Sequence, residues 1–326
     1  MSSRLISALV AVLPALAPQA AARVALGAAP GPPATVPAAT LRVALLPITD
    51  VVPFYVAQEQ GYFAQEGVRA ELVPVASAAE RDQLMAAQQV DAQLNDLVST
   101  VLFNATRPRI QIVRKARQAY ATAPQLWILV PKDGRVQAPQ DLRGVEIAIS
   151  QNSVIEYVTQ RLLQRVGLAP AEIRTTNVPS IPTRFQLLMQ GQLAAATLPD
   201  PLASLALLRG ARSVVDDSRF PDVSQSVISV QTHIVQERPE DVRRLLAAYD
   251  RAVQDIRLHP GRFRNVLIAH ARVPDPLKDR YRFPPFPDPS VPHQDQWDDV
   301  VAWAMEKQLI RGALPYGGSV TAAFVK

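Results

Sequence analysis

LRVALLPITDVVPFYVAQEQGYFAQEGV, Leu41 to Val68, reads as a strand, a loop and a helix. The apolar run Leu41 to Leu46 stops at Pro47, Thr49 and Asp50 form a polar turn, and Pro53 opens a helical segment that ends at a glycine. A loop at the carboxyl end of a buried strand is where open α/β sheets place their ligands. This loop is therefore the first candidate wall of a small-molecule site.

The rest of the chain repeats that unit. Arg69 to Val75 reads as a strand and Ala78 to Val90 as a helix; a strand ending at Asn95-Asp96, a helix over Leu97 to Asn104 and a strand over Ile110 to Val113 follow. The pattern restarts at Leu126 to Val130 and at Val145 to Ile149, whose strand ends at Ser150-Gln151-Asn152-Ser153. Ile155, Val158, Leu162 and Val166 then recur at the spacing of an amphipathic helix. Ile173 to Val178, Phe185 to Met189 and Ala194 to Leu198 continue the alternation, which closes on Pro199-Asp200-Pro201.

The last third carries one strand, Val227 to Val235, and a helix opened by Pro239 with Glu240 and Asp241, acids that suit the positive end of the helix dipole. A Pro-rich irregular stretch, 273–292, leads to a final helix through Trp297, Val300, Val301, Ala304 and Gln308. Alternating β and α predicts an α/β fold with mostly parallel sheets flanked by helices. Two such units, with a return to the first, predict a two-lobed clamshell. Lobe 1 is expected over 41–122 and 216–326 and lobe 2 over 123–215, with crossings near Tyr120 to Gln125 and Val214 to Ser218.

Composition narrows the function classes. The 326 residues, 48% hydrophobic and 19% charged, suffice for two domains. Residues 1–22, with Arg4, an apolar stretch and Ala20-Ala21-Ala22, have the layout of a signal peptide, and 23–40 is an Ala- and Pro-rich tail, so the protein is expected to be exported. The absence of cysteine excludes disulfides, thiolate metal sites and a cysteine nucleophile. Net charge is +5, but the arginines are scattered, and the densest cluster, Arg114, Lys115 and Arg117, reads as a solvated edge. No nucleic-acid partner is expected. His233, His259, His270 and His293 lack metal-ligand spacing, and no phosphate loop or nucleophile elbow is present.

Several stretches, in order, resemble the periplasmic substrate-binding proteins of ABC importers for nitrate, taurine, aliphatic sulfonates and thiamine-pyrimidine precursors. The opening strand, loop and Gly-Tyr-Phe helix end, AAQQVDAQLNDLVST, APQDLRGVEIAIS, GQLAAATLPDPLAS and VQTHIVQERPEDVRRLLAAYDRAVQDIRLHP are each similar to the family's segments. The resemblance covers about Leu41 to Pro260. Ala194, where the family often has Asp, and the Pro-rich 273–292 depart from it. It implies a type II periplasmic-binding-protein-like clamshell, a monomer that hands a small molecule to an ABC permease, and ligand contacts on the loop after Pro47, on Asn95-Asp96 and on Asn152-Ser153. Some relatives make a pyrimidine with pyridoxal phosphate, which requires a lysine; Lys115, Lys132, Lys278, Lys307 and Lys326 all lie off the candidate loops. No enzyme, cofactor or metal is therefore expected; the alternatives are a sensing ectodomain with the same cleft or a binder of a sulfonate, taurine or nitrate, with a pyrimidine-precursor synthase less favoured.

Strand ends and helix starts, where unpaired N–H groups face a ligand, give the candidate site. They are Thr49, Asp50, Phe54, Asn95 and Asp96 in lobe 1, Gln151, Asn152, Ser153 and Asp200 in lobe 2, and Tyr120 near a crossing. Each has a structural alternative: Asp50 as an Asx-turn, Asp96 and Asn152-Ser153 as helix caps, Phe54 as a packing residue. Three carboxylates with no cation on these loops predict a neutral or amine-bearing ligand rather than a bare anion.

Overall fold

The computed structural model describes residues 40–325. The segment read as a signal peptide and nearly all of the tail lie outside the described residues. Among the described residues ten strands form two sheets. The first contains β1 (Leu41–Leu45), β2 (Ala70–Pro74), β3 (Ala92–Asp96), β4 (Ile110–Gln118) and the return strand β10 (Gln225–Gln231), ordered β2-β1-β3-β10-β4. The second contains β5 (Leu126–Val130), β6 (Glu146–Ile149), β7 (Arg174–Asn177), β8 (Ala195–Pro199) and β9 (Arg212–Asp216), ordered β7-β6-β8-β5-β9.

Helices flank both sheets. In chain order they are α1 (Val52–Glu59), α2 (Tyr62–Gln65), α3 (Ala78–Ala86), α4 (Leu97–Phe103), α5 (Val154–Arg165), α6 (Ile181–Met189) and α7 (Leu202–Leu208). They continue with α8 (Thr232–Glu237), α9 (Pro239–Leu258), α10 (Arg264–His270), α11 (Gln294–Glu306) and α12 (Tyr316–Ser319). This is the two-lobed α/β architecture that the alternation predicts.

The sheets are mostly parallel, each mixed by a single reversed strand, β10 in the first and β5 in the second. β1 pairs in parallel with β2 and β3, and β6 with β7 and β8. β10 runs antiparallel to β3 and β4, and β5 to β8 and β9. The antiparallel strands are those beside the crossings, where the chain enters one sheet directly from the other instead of through a covering helix.

β4 corrects one expectation. It runs on to Gln118 instead of ending at Val113, and Arg114, Lys115 and Arg117 are buried in it rather than forming a solvated edge. Charge misleads here because the partners come from remote sequence. Arg114 donates from Nε to Asp250 Oδ1 at 2.7 Å and from Nη1 to the Asp288 carbonyl at 2.9 Å. The open side of β4 is covered by the Pro-rich strap, whose Ser290 carbonyl accepts from Lys115 N at 2.7 Å. Beside β4 in the sheet, β10 stops at Gln231, and the residues up to Val235, read as strand, belong to α8.

The long helix near the C-terminal end, α11, ties the lobes together. α11 packs against α4, and Trp297 and Trp303 are buried beneath it. It also holds α5: Asp299 Oδ2 accepts from Tyr157 at 2.6 Å and Arg161 Nε at 2.9 Å, Trp303 Nε1 donates to Gln160 at 2.7 Å, and Lys307 Nζ donates to the buried Glu156 at 2.7 Å. Truncation of the fully buried Trp297 (0% exposed) to Ala is expected to destabilise the protein by about 3–5 kcal/mol through lost burial and the cavity left behind. Urea unfolding measures the change.

Candidate functional site

The loop after β1 tightens into a short 3-10 turn, Thr49–Val51, that buries both Thr49 and Asp50. Asp50 does not face solvent as an isolated acid. Its Oδ1 accepts from Arg117 Nη1 at 3.0 Å, with both side chains about 95% buried. Arg117 comes from the end of β4, and its Nη2 donates to the Pro124 carbonyl at the first crossing (3.2 Å). Its Nε is buried with no partner among the described residues. Burial opposes the guanidinium charge, but Asp50, Tyr281 and Asp200 outweigh that cost and raise its pKa above the ordinary arginine value.

The second lobe reaches the same place through Asp200, at the end of β8. Its Oδ1 accepts from the backbone and hydroxyl of Ser204, at 3.2 and 2.6 Å. Its Oδ2 accepts from the Tyr281 hydroxyl at 3.0 Å, and the same hydroxyl lies 3.0 Å from Thr49 Oγ1. Burial raises the pKa of Asp200, against the lowering effects of Ser204 and Arg117. Tyr281 is itself driven upward by burial and by the charge of Asp200. Thr49, Asp50, Arg117, Tyr281, Asp200 and Ser204 therefore form one polar cluster between the lobes.

The two crossings are bolted beside it. Asp217 Oδ1 and Oδ2 accept from the backbone N–H groups of Gln125 (2.8 Å) and Leu126 (3.1 Å), and Gln125 Nε2 donates to the Ser224 carbonyl at 3.0 Å. Burial lifts the Asp217 carboxyl to about 6, against several lowering contacts that include the Arg117 charge.

The other candidate residues take different places. Asp96 caps α4, accepting from Ser99 N at 2.8 Å, and burial raises its pKa against the charge of Arg81. Asn95 is buried under α4, donating to Thr100 Oγ1 at 3.0 Å and accepting from Ser229 at 2.7 Å, which pins β3 to β10. Phe54 is fully buried against Tyr249, ring centroids 4.8 Å apart. Gln151 and Asn152 are exposed at the start of α5, Asn152 with φ of 55°, and Ser153 caps that helix through Ile155 N at 3.2 Å. Tyr120 is half-buried in the first crossing, bridged to Ala123. Tyr55, a further aromatic of the first helix, stacks on His270 at 3.6 Å.

Thr49, Asp50 and Asp200 are thus brought together, while Asn95 and Phe54 belong to the core of lobe 1. The expectation of a cluster without a cation is overturned, because Arg117 lies at its centre. Neither Arg117 nor Tyr281 was legible: one sits past the expected end of a strand and the other in a stretch with no periodicity. Lys115, the lysine nearest this region in sequence, donates to Gln118 Oε1 at 3.1 Å, and burial lowers its pKa. Among the described residues no three His, Asp or Glu side chains are grouped to hold a metal ion, and no helix is long and apolar enough to cross a membrane.

Residues 48–262, well over half of the chain, match the model of the NMT1/THI5-like family. The chain belongs to that family. The aliphatic sulphonate binding protein SsuA of Escherichia coli, a periplasmic protein, shares the fold with a TM-score of 0.73 at 16% identity, over 86% of this chain and 92% of that one. The alkanesulfonate-binding protein SsuA of Xanthomonas axonopodis pv. citri, bound to MOPS, aligns with a TM-score of 0.71 at 17% identity, over 86% and 98%. The desulfurization enzyme DSZB has the same fold, TM-score 0.65 at 17% identity over 87% and 97%. At these identities the likeness establishes the fold, which serves both binding and catalysis. No curated protein matches the sequence.

Two outcomes follow from the electrostatics. Asp50→Ala leaves Arg117 buried and unpaired and is expected to cost about 3–5 kcal/mol, seen as a lower urea midpoint. Asp217 holds its proton more tightly when folded (about 6) than at the ordinary aspartate value of 3.8, so its contribution to stability is full below about pH 4 and is lost as pH rises through 6. Relative to Asp217→Asn, the native protein should therefore lose on the order of 3 kcal/mol between pH 4 and 7; chemical denaturation across that range measures it.

Proposed function

We propose that this NMT1/THI5-like protein is an extracytoplasmic solute-binding protein that captures a small organic molecule between its lobes and delivers it to an ABC permease. Support comes from the polar cluster at the lobe junction, where loops of both lobes converge on one small volume. Its charge inventory argues for the ligand class. The single guanidinium of Arg117 is shared by Asp50, which it contacts, and by Asp200 and Asp217, whose pKa values burial raises, a shift that its charge partly offsets. One cation against three carboxylates, two within the cluster and Asp217 beside it at the crossings, disfavours a bare anion and suits a neutral or amine-bearing ring compound that donates hydrogen bonds. On this reading the chain is not an enzyme, and the family's lysine-dependent cofactor chemistry has no lysine in the cluster to use.

A second reading, an alkanesulfonate ligand, is favoured by two observations: the partnerless Nε of Arg117 and the sulfonate-binding proteins that share the fold. Titration calorimetry with a panel of amine-bearing heterocycles and of alkanesulfonates, MOPS among them, separates the two. Heat from the amines with none from the sulfonates is expected; the reverse pattern removes the preferred ligand class.

A further inference from the structure

Tyr281 is the one side chain in the cluster that comes from neither a strand end nor a helix start. It is carried by the Pro-rich strap between α10 and α11, and the strap is anchored firmly on lobe 1. Arg114 holds the Asp288 and Pro287 carbonyls, Arg257 donates to Asp288 Oδ1 at 2.8 Å and to the Phe286 carbonyl at 2.5 Å, and Ser290 is bound to the edge of β4. Phe286, after Tyr281, is buried in this anchored part, while Leu277, before it, is buried in a short turn that packs against α7 of lobe 2. From this anchored base the Tyr281 ring, 8% exposed, reaches across to lobe 2.

Its hydroxyl makes the connection. With Asp200 as the acceptor, the phenolic proton goes to Oδ2, and the phenolic oxygen is left to accept from Thr49 Oγ1. Thr49 lies in the loop after β1 and Asp200 in the loop after β8, so one hydroxyl joins the ligand-facing loops of the two lobes. Ser204 already satisfies Asp200 Oδ1; Oδ2 is the oxygen that Tyr281 occupies.

We propose that Tyr281 is a specificity-determining latch: its phenol holds the place between Thr49 and Asp200 that the ligand's own ring and hydrogen-bond donor take, and it closes the lobes while that place is without solute. The inference rests on the solute-binding reading and sharpens it to an aromatic or heteroaromatic molecule with a donor at its edge. Such a ligand replaces one internal ring and hydroxyl by another of like shape, so net affinity reflects the difference between the two.

The absence of cysteine makes the test direct. Spin labels are attached at Ala64→Cys on α2 and Gln186→Cys on α6, both exposed and one in each lobe, and the interlobe distance is read by double electron-electron resonance without solute. The native chain should give one narrow distance. Tyr281→Phe, which keeps the ring packing, and Thr49→Val, which leaves the strap untouched, should each broaden and lengthen it, and Tyr281→Ala should lengthen it most. Addition of 4-methylphenol to Tyr281→Ala should restore the short distance. Unchanged distances in all three variants overturn the latch. Lengthening that 4-methylphenol does not reverse overturns the claim that a ring and hydroxyl take that place. These distances are measured without a transported solute, so a failed calorimetric panel and a failed latch are separate results.

Discussion

The buried guanidinium of Arg117 sets the terms for the junction between the lobes. A charge removed from water must be paired and hydrogen-bonded to be tolerated, and here the pairing uses three parts of the chain. Asp50 comes from the loop after β1, Pro124 from the first crossing, and the more distant charges of Asp200 and Tyr281 from the second lobe and the strap. The cation therefore requires both lobes and the strap to be in place. Its charge also sets the electrostatic character of the cluster, lowering the pKa values of the nearby carboxylates while burial raises them.

Two devices hold the lobes in register around this cation. The crossings are joined through Asp217, which spends both carboxylate oxygens on backbone N–H groups of the opposite strand. The segment after α10 then embraces both lobes, first by Tyr281 between Thr49 and Asp200, then by α11 between α4 and α5. The C-terminal part of the chain is thus a structural partner of both lobes, although its strap has no regular secondary structure beyond one short 3-10 turn, Asp275–Leu277. Its proline content suits that role, since fixed φ angles reduce the entropy lost when an irregular segment is ordered.

Local chemistry made some of the site legible and hid the rest. Pro47, Thr49 and Asp50 announce a loop because proline and a short polar pair interrupt an apolar run, and the loop lies where such loops lie in α/β sheets. Asp96 and Ser153 are equally visible at the starts of helices, where both serve as caps. The carboxylates suggested a donor-bearing ligand on the premise that no cation stood near them. That premise failed at Arg117, because a strand's inward and outward positions alternate but the cover over its outer edge is not written in the strand itself. Phe54 shows the opposite case, a residue beside the loop that turns into the core against Tyr249.

The sequence by itself determined the alternation of strands and helices, the return of the chain to its first lobe, and the loops that converge at the junction, because periodicity and turn chemistry act over a few residues. Only the tertiary structure decided which charges are buried, which strands run antiparallel, and that a tyrosine from the Pro-rich strap sits between the lobes. Those outcomes depend on contacts across long sequence separations: 67 residues separate Asp50 from Arg117 and 232 separate Thr49 from Tyr281. No local pattern encodes such pairings. They are fixed by the energetic demand that a buried polar group find its partner wherever the fold brings one.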